Sequence, residues 1–252
     1  MPDPVLIEIG VFSIRWYGVL IASAVLIGTL LALKEVRRKG INEDHFMNIL
    51  LVCIPVGFIT TRLYYVAFNW DYYGQNLNKI FAVWEGGLAI HGGIIGSFLA
   101  GWFMVKYYQL NFWEIADAVA PSFILGQAIG RWGNYFNQEA YGYAVDPEKV
   151  PWAMFIDGAY RHPTFLYESI WNLTLFAGLI IIREKVKPKA GILFSIYIGG
   201  YSIGRFFIES FRTDSLMLGS LRAAQVTSII MVIFAAGLAY YIVKKQEPSE
   251  KV

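Results

Sequence analysis

Long apolar stretches constrain this chain more than any other feature, because ~20 consecutive apolar residues are what a helix needs to cross a bilayer. Seven stretches come near that length, around residues 14–33, 46–67, 87–105, 114–130, 164–182, 190–208 and 222–243. In lipid, every backbone N–H and C=O must find a partner within the protein, and a helix achieves this inside one segment. The expected fold is therefore an all-α polytopic membrane protein with seven transmembrane helices. Hydrophobic residues fill 56% of the positions and charged residues only 16%, well below the charged share of water-soluble domains. The fourth stretch is the weakest, since Asp117, Pro121 and Gln127 leave room for a tilt, a break or partial re-entry.

Cations set the expected orientation. Lys34, Arg37, Arg38 and Lys39 follow the first stretch, Lys106 the third, Arg183, Lys185, Lys187 and Lys189 the fifth, and Lys244, Lys245 and Lys251 the seventh. Seven crossings put all of these on one side, which the positive-inside rule makes cytoplasmic, leaving the N-terminus outside and the C-terminus inside. The N-terminal residues include Asp3 and Glu8 and no early cation, so they lack the basic region of a cleavable signal, and the first stretch is expected to be retained. The opposite side carries two longer connections, residues 68–86 and 131–163. The second mixes Gly, Pro, Tyr and acidic residues and is expected to form a small irregular or β-containing extracytoplasmic cap between the fourth and fifth helices of a single membrane domain, residues 1–252. Trp16, Trp70, Trp84, Trp132 and Trp152, with Tyr17, Tyr72 and Tyr73, fit an interfacial aromatic belt.

Several function classes are disfavoured. A net charge of +2, with the cations at segment ends, offers no footprint for nucleic acid. The single cysteine, Cys53, lies in the apolar run MNILLVCIPVGF and reads as a small buried hydrophobe rather than a reactive thiol. Neither a His-x-x-x-His nor a cysteine pair occurs, so no metal site is expected. No nucleotide fingerprint or Gly-x-Ser-x-Gly elbow occurs, and no cofactor is expected.

The polar residues gather at one set of helix ends. Tyr17 and His91 lie near the starts of the first and third helices, His162 and Glu168 around the start of the fifth, Arg131 at the end of the fourth, and Arg205 with Glu209 at the end of the sixth. Counting crossings puts all of these ends on the same face. Ionisable groups at membrane depth are costly and mark either a function or an internal pair. Arg205 and Glu209, four residues apart, can pair along one helix face. Arg62 is expected to snorkel or pair locally, and His45 to be a solvated helix-start residue. Gly92, Gly93, Gly96, Ala100 and Gly101 form a small-residue strip suited to close helix packing, which leaves His91 itself unexplained. Two arginines, a histidine, carboxylates, amides and tyrosines at one face suit an anionic lipid head group, because the guanidinium fork matches phosphate geometry. A transporter would instead spread polar groups through the full depth, and Asp117 near the inner end of the fourth helix is the main residue that does not fit the one-sided pattern.

Residues 130–142, GRWGNYFNQEAYG, closely resemble the signature Gly-Arg-x-Gly-Asn-Phe-x-Asn-x-Glu-x-x-Gly of bacterial prolipoprotein diacylglyceryl transferases, with Tyr135 where Phe is usual. The resemblance extends in order through RWYG at 15–18, HGGIIG at 91–96, HPTFLYE at 162–168 and GRFFIESFR at 204–212. It implies a seven-helix enzyme of the bacterial plasma membrane with its active site toward the extracytoplasmic face. Such an enzyme moves the diacylglyceryl group of phosphatidylglycerol to the lipobox cysteine of a prolipoprotein signal peptide, forming a thioether and releasing glycerol phosphate. The implied catalytic residues are His91, Arg131, Arg205 and Tyr17. Asn134, Asn137, Glu139, Gly142 and Glu209 are the implied substrate-binding set. Arg131 and Arg205 would neutralise the departing phosphate. His91 would take the thiol proton, or a guanidinium would lower the thiol pKa and leave His91 to orient the substrate. Asn134 is expected to donate to the head group, Glu139 and Glu209 to orient the arginines, and Gly142 to let backbone approach closely. His162 and Glu168 are expected simply to fasten the cap to the fifth helix.

Overall fold

In the computed structural model, residues 3–10 and 12–245 are described. Lys251, one of the cations used for orientation, lies outside them. The described chain is mostly helical and forms two compact units, Met1–Ala32 with Ala116–Val252, and Leu33–Ile115. Their boundaries fall inside two continuous helices, α1 (Trp16–Arg38) and α5 (Phe112–Asn137). An antiparallel hairpin of β1 (Val5–Ile9) and β2 (Phe12–Arg15) leads directly into α1.

The unit Leu33–Ile115 is built on α2 (Glu43–Phe68) and α4 (Ile90–Tyr107). Asn42 caps α2 by accepting from the His45 N–H at 3.1 Å, with Glu43 and Asp44 favourably placed in the first turn. Close approach of α2 and α4 depends on small residues. A Cβ on Gly92 or Gly96 would run into Thr60 and one on Gly57 into Ser97, while the Ser97 hydroxyl donates to the Cys53 carbonyl at 3.1 Å. Between these helices run the one-turn helix α3 (Trp70–Tyr73) and two 3₁₀ turns, Leu77–Phe81 and Val83–Glu85.

The other unit carries α6 (Thr164–Lys185), α7 (Ile192–Glu209) and α8 (Ala223–Lys245). Ile124 of α5, Leu179 of α6 and Leu193 of α7 form its buried core, with Phe176, Ile182 and Tyr197 packed on it. The fourth predicted stretch is not broken: α5 runs continuously for 26 residues through Pro121. Next to the proline, the Ser122 hydroxyl donates to the Gly28 carbonyl at 2.7 Å. Asp117, the residue that did not fit the one-sided pattern, has a structural task. Its carboxylate accepts from the backbone N–H groups of Gly191 and Phe194, both at 2.8 Å, and so caps the first turn of α7.

Among the described residues, four helices, α1, α2, α6 and α8, are long and apolar enough to cross a membrane. Of the polar residues discussed above, His91, Arg131, Asn134, Asn137, Arg205 and Glu209 lie on the other three long helices, α4, α5 and α7, whereas Tyr17 lies at the start of α1 and Glu168 in α6. Large apolar side chains face outward, among them Leu26, Leu51, Ile94 and Ile233, each more than half exposed. This reversal of the water-soluble pattern fits a membrane protein.

The cap is smaller than expected at its start, because residues 131–137 belong to α5. What remains includes the hairpin β3 (Met154–Ile156) with β4 (Ala159–Arg161). A second short hairpin, β5 (Met217–Leu218) with β6 (Leu221–Arg222), precedes α8.

Candidate functional site

The last turns of α5 bring Arg131 and Asn134 to one end of their unit, and α6 and α7 bring Glu168 and Arg205 to the same place. Glu168 is buried, its side chain 4% exposed, and bridges the two arginines: one oxygen holds Nε of Arg131 and the other Nη1 of Arg205. The arginine side chains keep 22% and 18% of their surface accessible. Arg205 places its other terminal nitrogen on Glu209 at 2.6 Å, the pair expected from their four-residue spacing. Two guanidiniums from different helices thus share one buried carboxylate, which offsets the cost of removing each charge from water.

A layer of amides and backbone contacts surrounds this pair. Arg131 Nη1 lies 3.4 Å from Asn134 Oδ1. The side-chain amides of Asn134 and Asn137 donate to Glu139 at 3.0 and 3.2 Å. Glu139 therefore meets Arg131 through Asn134, whereas Glu209 holds its arginine directly. Tyr17 lies half-exposed at the start of α1 against Gly133 of α5, where any side chain would overlap the phenol ring. Beside it, Trp16 stacks on Phe136 with centroids 4.7 Å apart.

Gly142 is a position of close backbone approach. Its N–H donates to the His162 carbonyl at 3.0 Å, and an added Cβ would lie 2.6 Å from His162 Cβ and 2.9 Å from the Phe211 carbonyl oxygen. Tyr143 N–H donates to that same Phe211 oxygen at 3.0 Å, stitching the cap to the segment after α7. In that segment Arg212 binds Asp214 at 2.7 and 2.9 Å and approaches Glu209 at 3.9 Å. Partial burial pushes the Asp214 carboxyl up, but the Arg212 hydrogen bonds outweigh it and hold the group below the usual carboxylate range. Nearby, the Tyr141 phenol donates to Asp157, which raises its pKa.

His91 belongs to the other unit, as the second residue of α4. It is exposed, with its ring 6.2 Å from that of Tyr64. The imidazole is therefore not buried by the helix packing that its neighbouring glycines allow.

Three polar residues have larger parts than the sequence suggested. Glu168 is the centre of the arginine pair, not a fastener of the cap, whereas His162 does engage the start of α6 through Nδ1 and the Tyr167 hydroxyl at 2.9 Å. Arg222 donates to the carbonyl of Glu209, to that of Arg212 at 3.3 Å, and to the Tyr143 hydroxyl at 2.6 Å. Arg62 does not snorkel. It is 6% exposed and donates to the carbonyls of Lys79, Ile80, Ala82, Gly86 and Gly87 at 2.6–3.4 Å, with Tyr73 against its face. The motif HPTFLYE held a signal for Glu168, a carboxylate at the same helix ends as two arginines. The apposition of α5, α6 and α7 was needed to interpret it.

An apolar groove beside the cap is lined by Trp152, Tyr167, Ile170, Trp171, Ile208 and Phe211. Among the described residues, no group of three or more His, Cys, Asp or Glu side chains is arranged to hold a metal.

The family model for prolipoprotein diacylglyceryl transferase matches residues 4–241. A protein of Clostridioides difficile strain 630 named phosphatidylglycerol--prolipoprotein diacylglyceryl transferase is 51% identical over 235 residues, covering 93% of each chain. Proteins of the same name from Listeria innocua serovar 6a and Bacillus mycoides are each 47% identical over 255 residues, covering 98% and 97% of this chain and 92% and 93% of theirs. With a match along almost its whole length and identities near one half, the chain belongs to the prolipoprotein diacylglyceryl transferase family.

Proposed function

We propose that this protein transfers the diacylglyceryl group of phosphatidylglycerol to the lipobox cysteine of prolipoprotein signal peptides in the bacterial plasma membrane. The observation that carries this reading is the pair Arg131 and Arg205, fixed on Glu168 and flanked by the amides of Asn134 and Asn137. In the reaction the cysteine sulfur attacks the glyceryl carbon that carries the phosphate. The C–S bond forms, the C–O bond breaks, and its electron pair leaves with glycerol phosphate. Fixed guanidiniums stabilise that charge as it develops, without reorganising during the step. Asn134 and Asn137 bind the head group, and Glu139 and Glu209 set the amide and guanidinium directions. Gly142 closes the cap against the site, and Tyr17 borders it. His91 is the group suited to accept the thiol proton, because imidazole is the side chain that most readily takes and gives a proton in general acid–base chemistry. The groove at Trp152 and Trp171 offers an apolar path for an acyl chain.

The same proposal has seven crossings: α4, α5 and α7 join the four more apolar helices in a single membrane domain, residues 1–252. The N-terminus is outside, and residues 131–163, of which 131–137 are the end of α5, form the extracytoplasmic cap region. The cations at or after the ends of α1, α4, α6 and α8 then all lie on the cytoplasmic side, in accord with the positive-inside rule.

The test is a transfer assay in vesicles containing labelled phosphatidylglycerol and a lipobox peptide. Wild-type protein is expected to form the thioether, and Arg131→Ala and Asn134→Ala to lose it while remaining inserted. Near-normal transfer by both variants would overturn the site, and lipid flux without covalent transfer would favour a transporter.

A further inference from the structure

Glu168 lies between the two arginines that the proposed function assigns to the substrate phosphate. Its two oxygens are divided between a guanidinium of α5 and one of α7, and Glu209 takes the remaining terminal nitrogen of Arg205 at 2.6 Å. Two guanidiniums and two carboxylates make this inner group neutral before any substrate arrives. A phosphate diester presents the same charge as a carboxylate and the same kind of oxygen acceptors for guanidinium N–H groups. Without an anion between them, two largely buried guanidiniums would repel each other and separate.

We propose that Glu168 is a positioning residue that stands in for the substrate phosphate: it holds Arg131 and Arg205 around one anion position and yields part of that grip when phosphate enters. This rests on reading the site as a phospholipid transferase. Two separable consequences follow. The charge of Glu168 competes with the phosphate and keeps product release easy, whereas the bridging reach of its side chain fixes the geometry that turnover requires.

Two variants separate these effects. Glu168→Gln keeps the shape and removes the charge, so affinity for glycerol phosphate is expected to rise by about tenfold or more. Its kcat should fall by about a hundredfold, with KM for phosphatidylglycerol unchanged or lower. Glu168→Asp keeps the charge but, one methylene shorter, cannot span both helices. Its glycerol phosphate affinity should stay near wild type while its kcat falls. A merely structural carboxylate would instead raise KM and weaken phosphate binding in both variants. That result, or wild-type turnover by Glu168→Gln, would overturn the proposal. If Glu168→Gln does not insert, Glu168→Asp decides alone, and wild-type kcat in that variant would overturn it. Wild-type protein that binds glycerol phosphate but makes no thioether would overturn the proposed function instead, and the affinity comparison would still report on Glu168.

Discussion

At the residue scale, the chain uses charge in two ways. Arg62 is a structural cation: its guanidinium fork satisfies carbonyls of residues 79–87 that would otherwise lack donors in an apolar setting. Gly87, with φ +71°, fits beneath it, since a Cβ there would lie 2.5 Å from Arg62 Nη1. Arg62→Ala is expected to cost about 3 kcal/mol by stranding those groups. Limited proteolysis should find new cleavage between residues 77 and 88, and an unchanged digestion pattern would refute the cage. Arg62→Lys should rescue it only in part, because an ammonium cannot reproduce the planar fork. The arginines at 131 and 205 differ in sharing a carboxylate and retaining accessible surface. A lone Arg in an apolar run looks the same in sequence whether it staples a loop or meets a ligand. That distinction lay in the partners each side chain reached.

At the element scale, helix ends carry the polar chemistry. Asp117 caps α7 from α5, so Asp117→Ala should lower stability by about 1–2 kcal/mol while leaving the rate of thioether formation per folded molecule intact. A clear loss of thioether formation per folded molecule would refute a purely structural role for Asp117. The segment after α7 is expected to respond to pH. The folded-state pKa of Asp214 is lowered by its bonds to Arg212, so its contribution is present above the ordinary carboxylate pKa of about 4 and is lost as pH falls from there through the lowered value. Hydrogen exchange at residues 212–214 should accelerate on acidification across that window, and Asp214→Asn should exchange rapidly at both ends of it. Helix positions were legible in the sequence because apolar runs report directly on membrane-length helices. The end of α5 was not, since the polar residues 131–137 resemble a loop by composition although their backbone continues the helix.

At the scale of the whole molecule, the proposed topology makes a direct prediction. In a Cys53→Ser background, a cysteine at Asp146 should react with a membrane-impermeant maleimide added to intact cells, and one at Lys187 should react only after lysis. The reverse pattern would invert the orientation, and labelling of both would break the count of seven crossings.

The sequence by itself determined the helical, membrane-suited architecture and the family. Both depend on composition and spacing along the chain, and bilayer thickness and backbone hydrogen bonding turn apolar length into helix. It also singled out Arg131, Arg205 and Glu209, whose four-residue spacing foretold the pair that Arg205 and Glu209 make. Only the tertiary structure decided that Glu168 joins the two arginines, that Asp117 caps a distant helix and that Arg62 holds a loop. The physical reason is that a buried charge is defined by what compensates it. Here the compensating groups lie 17 to 77 positions away in the chain, where only the packing of helices brings them within hydrogen-bonding distance.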